Sequence, residues 1–379
     1  MTIVRIFCCV WLAVALVLSP AEASAAQRPH VVLFTPGEGQ ETENAWERSI
    51  RLIAEAAAED PGLSVEMVYL GGGRQEGRDR IKARVQAADA PRPDYALMMN
   101  PRDYAGEMLR FLDGAGVDAF LFNTALGEED ARLLGRPGEV LPRWIGELIP
   151  NDEAAGYLLA KHLIATARAR DEGPVRVLGL TGFYVSPVAA ARVRGLERAV
   201  REEPDAEILQ VVSARWNGEV ARAKFEHLNR RYDGIDVVWA ANDDMALGVL
   251  ASDAVRPDLV VGGMDWTAPA RMAIAEGRLT ASAGGHAFDV AYALAAIAAH
   301  AGADGDWTPP VARSTLGLLT AEDLASRAAL FDEERLRALD FARLLPAGRT
   351  LGQGGTISAD AILAIQDQRA NGPADGETP

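Results

Sequence analysis

The stretch Val237-Val-Trp-Ala-Ala-Asn-Asp-Asp-Met-Ala-Leu-Gly-Val-Leu250 constrains the fold more than any other part of the 379-residue chain. A short apolar, β-rich run ends in a polar tip, and an amphipathic helical stretch follows at once, so strand, loop and helix succeed one another without a linker. Such a unit belongs in an open α/β sheet, where ligands bind beyond the carboxyl ends of the strands. Asn242 and Asp243 therefore stand where a small polar molecule would be read. Val260-Val-Gly-Gly-Met-Asp-Trp266 repeats the design, with Asp265 at its tip.

The alternation extends along most of the chain. Strands are expected over 30–35, 65–70, 95–99 and 119–123, with helices over 45–58, 78–88 and 105–114 between them. A second series opens after Ile149-Pro150 with a helix over 152–169, then strands over 175–180, 207–213, 237–240 and 259–262. Short strands alternating with longer helices imply parallel βαβ units with right-handed crossovers. Two such series in succession predict two lobes, in keeping with typical domains of ~100 to 150 residues. A helix is expected over 287–301, followed by an apolar stretch over 311–319 and a short helix over 358–369.

The N-terminus reads differently. Arg5, an apolar run over 6–18, Pro20 and Ala23-Ser-Ala25 form the pattern of a cleaved secretory signal peptide over 1–25, which implies export to the periplasm. The apolar run is too short for the ~20 residues of a spanning helix, and Cys8 and Cys9 lie too early in it for a lipid anchor. Both cysteines fall in this leader, so the exported chain is expected to hold no disulfide and no thiolate metal site. The net charge of -16 disfavours nucleic acid and anionic membrane surfaces as partners.

Together the two tips Asn242-Asp-Asp-Met-Ala-Leu-Gly248 and Asp265, the latter followed by Ala273-Ile-Ala-Glu-Gly-Arg-Leu279, resemble the type I periplasmic binding proteins, the family of the ribose-binding protein. The resemblance runs from about residue 30 to 319. It implies an α/β fold of two doubly wound parallel-sheet lobes joined by a hinge with three crossings. The first lobe would comprise 29–149 with 286–311 and the second 150–285 with 312–348, leaving 349–379 as a C-terminal tail whose Pro, Gly and acid-rich end is expected to be disordered.

The resemblance also assigns roles. Trp46, in the long polar loop after the first strand, matches a ring that stacks on the apolar face of a sugar, with core packing as its alternative. Trp216 matches a second ring clamping from the other lobe. Asn100 matches a ligand-contacting Asn, although an Asn before Pro also caps helices. Asn123 stands where sugar binders often carry Asp. Arg192, in Arg192-Val-Arg-Gly195, matches the ligand arginine, whose planar fork suits adjacent hydroxyls or a carboxylate, with Arg194 as runner-up. Asn242 and Asp265 would read hydroxyls. His286, after Gly284-Gly285, stands near a position where ribose-type binders carry Gln; it either donates to a ligand or begins a helix. No other His lies at zinc-ligand spacing, and no cofactor is expected.

The implied function is a periplasmic solute-binding protein that takes a small polar ligand, above all a carbohydrate, and presents it to an inner-membrane ABC permease. The spacing from Pro36-Gly37 to Trp46 is also similar to the autoinducer-2 receptors, which signal through a sensor kinase, so a sensor or cyclase stands as an alternative partner. Those receptors carry Gln and Ser before the Trp, where this chain has Glu41, Thr42, Glu43 and Asn44. A secreted glycoside hydrolase pairing Glu41 or Glu43 with Asp265 is the reading from another class, and no Gly-x-Ser-x-Gly or His-Glu-x-x-His motif accompanies it.

Overall fold

The computed structural model describes residues 28–59, 62–170, 173–303 and 305–367. The expected signal peptide and the last residues of the tail lie outside the described residues. The first series runs β1 (His30–Thr35), α1 (Ala45–Glu59), β2 (Ser64–Tyr69), α2 (Arg74–Gln86), β3 (Tyr95–Met98), α3 (Ala105–Ala115), β4 (Asp118–Phe122), α4 (Glu128–Leu134) and β5 (Trp144–Pro150). The second runs α5 (Asp152–Arg168), β6 (Val175–Thr181), α6 (Pro187–Arg201), β7 (Ala206–Ser213), α7 (Gly218–Arg231), β8 (Val237–Ala240), α8 (Asp243–Leu250), β9 (Val260–Met264), α9 (Ala268–Ala275) and β10 (Ala281–Gly284). The chain closes with α10 (Asp289–Ala301), β11 (Val311–Ser314), β12 (Gly317–Leu319), α11 (Glu333–Arg337), α12 (Phe341–Arg349) and α13 (Ala359–Asp367).

Two six-stranded sheets result, in the orders β11-β5-β4-β3-β1-β2 and β12-β10-β9-β8-β6-β7. All pairings are parallel except β10 with β12. Strands such as β3, β5, β8 and β9 are buried along their whole length, as expected when helices cover both faces of a parallel sheet. The chain passes between the sheets at Asn151, at 285–288 and at 315–316.

Strand β5 was absent from the expected series. Gly146 and Glu147 interrupt its apolar pattern, yet every residue is buried, and Glu147 accepts a bond at 2.8 Å from Arg313 of β11. Strand β11 continues in the first sheet through Ser314, beyond the expected boundary at 311. Residues 312–348, expected with the second lobe, divide between the lobes. Phe331 packs edge-on against Trp266 of the second lobe, whereas α11 lies on α1, joined by Arg48–Glu333 at 3.0 Å, and α12 packs on α10. Phe341, Leu344 and Gly348 are the buried residues of α12 on this first-lobe surface, Gly348 lying close against Ala295 of α10, a pairing that no local pattern announces.

Candidate functional site

The carboxyl ends of both sheets converge on a cavity of about 430 Å³ between the lobes, within the range of small-molecule sites. The first lobe lines it with Trp46, Glu47, Gly71, Met99, Arg102 and Asn123, among others. The second contributes Phe183, Arg192, Trp216, Asn242, Asp244 and Asp265, and His286 comes from the crossing between them.

The first wall is set by the start of α1. Asn44 Oδ1 accepts the backbone N–H groups of Trp46 and Glu47, each at 3.0 Å, and Glu47 Oε2 accepts Asn44 N–H at 3.1 Å. This reciprocal cap satisfies orphan donors of the helix N-terminus and holds Trp46 in place. The Trp46 ring lies 5.6 Å from that of His286 at an interplanar angle of 32°. Gly37, at φ +102°, passes so close that a Cβ there would sit 3.0 Å from Glu47 Oε2.

The floor of the second lobe is built around Arg192. Its Nε donates to Asp152 Oδ1 at 2.7 Å and its Nη1 to the Ala241 carbonyl at 2.6 Å, with Asp265 Oδ1 at 3.5 Å and His286 Nε2 at 3.4 Å. Burial opposes the guanidinium charge, and the carboxylates of Asp152 and Asp265 more than restore it, so its pKa rises. Asp265 is pushed above the ordinary carboxylate range by burial, against the pull of Arg192. Burial, reinforced by Arg192, takes His286 down to about 3, so its imidazole is neutral at physiological pH. Burial also lifts Glu47 to about 7.

Backbone strain concentrates here. Asn123, Trp216 and Asp265 adopt φ of 63°, 63° and 120°, a region costly for residues with side chains and found where structure over-determines them. Asn123 and Asp265 directly follow β4 and β9, Trp216 lies three residues beyond β7, and all three line the cavity. Trp216 lies over Gly182, where a Cβ would come within 1.9 Å of the indole. Asn242 caps α8 by accepting Met245 N–H at 3.0 Å while its amide reaches the Trp216 carbonyl at 3.4 Å.

Seven of the expected residues, Trp46, Asn123, Arg192, Trp216, Asn242, Asp265 and His286, thus meet in one cavity. Asn100 does not. It is fully buried, its Oδ1 accepts the N–H groups of Tyr104 and Ala105 at 2.8 and 2.9 Å, and its amide donates to the Ala125 carbonyl at 2.9 Å. The helix-capping use of Asn before Pro prevailed. Arg194 points to solvent and pairs with Glu153. Asp243 is buried too, bound to Thr267 and Ser282, and knits the β8, β9 and β10 tips together. Glu43 is held by Arg51 at 2.8 Å, and neither it nor Glu41 lines the cavity, which removes the carboxylate pair of the hydrolase reading. Glu47, Arg102 and Phe183 were not foreseen. Among the described residues no cluster has the make-up of a metal site.

A model of the periplasmic binding protein domain matches residues 148–305. The fold of a periplasmic sugar-binding protein from Pseudomonas fluorescens superimposes with a TM-score of 0.72 at 29% identity, covering 84% of this chain and 95% of that one. The chain has the type I periplasmic binding protein fold and carries a periplasmic binding protein domain over 148–305. A periplasmic solute-binding protein of an ABC transporter from Actinobacillus succinogenes, with bound D-allose, shares the type I fold at a TM-score of 0.66 and 19% identity, covering 79% of this chain and 100% of that one. The binding component of an arabinose ABC transporter from Shewanella, bound to L-arabinofuranose, does so at 0.64 and 16%, with coverage of 81% and 96%. No curated protein sequence matches the chain.

Within the type I fold the cavity occupies the cleft between the lobes. Trp46 Nε1, Asn123 Oδ1 and His286 Nδ1 are buried there without a hydrogen-bond partner among the described residues. Buried polar atoms are rarely left so. Trp266, by contrast, donates its Nε1–H to the Ser282 carbonyl at 2.9 Å and packs into the second lobe.

Proposed function

We propose that the protein is a periplasmic solute-binding protein that closes its lobes over a small polyhydroxy ligand and passes it to an inner-membrane ABC permease. The observation that supports this reading is the set of unpartnered polar atoms on Trp46, Asn123 and His286, residues that line one cavity with Trp216 of the opposite lobe. A sugar offers a flat C–H face for an indole and a rim of hydroxyls that both donate and accept. The ligands named for the neighbouring structures, D-allose and L-arabinofuranose among them, are of this class. Closure would bring the two walls onto one ligand, a hinge motion of the kind two-lobed binding proteins use.

A thermal-shift screen of the purified protein against monosaccharides, furanosyl compounds, polyols, amino acids and small carboxylates tests the reading. A ligand at a hundred times its Kd adds ~2.7 kcal/mol to the folded state, so one class of polyhydroxy compound is expected to raise Tm clearly, with stoichiometric binding and no product. Shifts confined to amino acids or carboxylates would redirect the ligand assignment, and turnover of a glycoside would restore the hydrolase.

A further inference from the structure

Glu47 lines the cavity beside Trp46, yet its cap to Asn44 uses only Oε2. Among the described residues Oε1 takes no hydrogen bond and keeps its lone pairs for the cavity. From the second lobe, Asp265 presents a second carboxylate, and Asp244 adds a third. Of the two arginines in the lining, Arg192 is paired with acids and Arg102 has only a ring contact. Arg192 is bonded to Asp152 and the Ala241 carbonyl, and Arg102 lies over the Phe183 ring at 4.1 Å from its centroid.

The free polar atoms point the same way. Glu47 Oε1 and Asn123 Oδ1 can only accept while the carboxyl is ionised, and Asn123 is 9% exposed. His286 Nε2 faces both Arg192 Nη2 and Asp265 Oδ1 at 3.4 Å, so its Nδ1 donates or accepts with the tautomer. Trp46 Nε1 is an unpartnered donor. An ammonium supplies three donors and no acceptor, and charge-assisted bonds to a carboxylate are roughly twice as strong as neutral ones. Asp265 has Arg192 at 3.5 Å, whereas Glu47 has no ion-pair partner among the described residues, and a neutral sugar would leave its buried carboxylate without a countercharge, which is costly.

We propose that Glu47 is a specificity-determining residue of the cleft and selects a polyhydroxy ligand bearing a protonated amine, that is, an amino sugar or amino polyol. The inference rests on the solute-binding reading and narrows it. The raised pKa of Glu47 agrees with it, because a cation docked against Oε1 would return the carboxyl to its charged form.

Calorimetric titration of the purified protein with matched neutral, amino and N-acetylamino compounds provides the test, using glucose, galactose and mannose with their 2-amino and 2-acetamido forms, and inositol with its amino derivative. Glu47→Gln is titrated in parallel. The variant keeps the helix cap, since a Gln carbonyl can accept Asn44 N–H in place of Oε2, and its unliganded Tm verifies the fold. The expected result is at least tenfold tighter binding of an amine than of both its parent and its N-acetyl form, with that preference lost in the variant. Equal or tighter binding of the neutral parent, or an amine preference that survives in Glu47→Gln, overturns the inference and leaves the solute-binding function standing. Absence of binding by every compound, together with a flat thermal-shift screen, removes the function and the inference with it.

Discussion

Glu47 holds the first turn of α1 and at the same time shows an oxygen to the cavity, so its ionisation couples helix, cleft and pH. Burial lifts its pKa to about 7 from an ordinary value near 4.5. A carboxyl whose folded pKa is raised contributes stability that is fully present below the unfolded value and lost as pH rises through the folded one. Glu47→Gln is free of this penalty. Its stability relative to the parent is therefore expected to grow between pH 5 and pH 8, by on the order of 2–3 kcal/mol at most, as read from urea unfolding of both proteins at the two pH values. Parallel behaviour would show that Glu47 is not buried as described. Trp216 makes a different forecast. It is half-buried over Gly182 at a strained strand end, so Trp216→Ala is expected to change the unliganded Tm little while abolishing measurable ligand binding; a large Tm loss would make it a core residue. Asp265 was legible because it follows a strand that periodicity exposes, and Trp46, Arg192 and His286 through the positions they share with the resembling family. Glu47 escaped notice because its spacing from Asn44 also explains it as a cap, and Asn100 misled because one side chain at a strand tip can face either the helix or the cleft.

At the scale of elements, Arg192-Val-Arg-Gly195 carries more than one donor. A Cβ at Gly195 would lie 2.1 Å from the Glu153 carbonyl, and one at Gly156 would lie 2.1 Å from the Arg192 carbonyl. Helices α5 and α6 thus cross at a pair of glycines, and that close approach lets Arg192 reach Asp152. Gly195→Ala is expected to force the helices apart, costing ~1–3 kcal/mol as overpacking does and weakening ligand binding through the displaced guanidinium. Unfolding and binding measurements on one variant check both. An unaffected affinity would show that Arg192 is independent of this crossing. Most elements lay within a few residues of expectation, because β-rich runs and amphipathic spacing are local. Strand β5 did not, since burial on both faces tolerated Gly146 and a Glu147 paired to Arg313, and neither resembles a strand until β11 is beside it.

At the scale of the molecule, the two lobes touch across the cleft. Arg102 of the first lobe lies over Phe183 of the second, whose ring also sits 5.6 Å from the Arg215 guanidinium. Both Arg102 and Phe183 line the cavity, so the stack bridges the two lobes at its edge. A cation–π contact of this kind is worth ~0.5–2 kcal/mol, which converts to an affinity change of about two- to thirtyfold. Arg102→Ala is expected to weaken binding within that range, chiefly through faster release in stopped-flow displacement, and to leave unliganded Tm unchanged. Slower association with unaltered release would place Arg102 on the entry path instead.

The amino-acid sequence by itself determined the two βα series, the strand tips where cavity-lining residues cluster and the resemblance to a two-lobed binding fold, because each rests on patterns a few residues long. Only the tertiary structure decided that Asn100 turns inward, that Arg192 and not Arg194 enters the cleft, that Glu47 joins it, and that α12 returns to the first lobe. Those outcomes depend on contacts between residues far apart in the chain, where burial and hydrogen-bond satisfaction choose between orientations that the local sequence leaves equivalent.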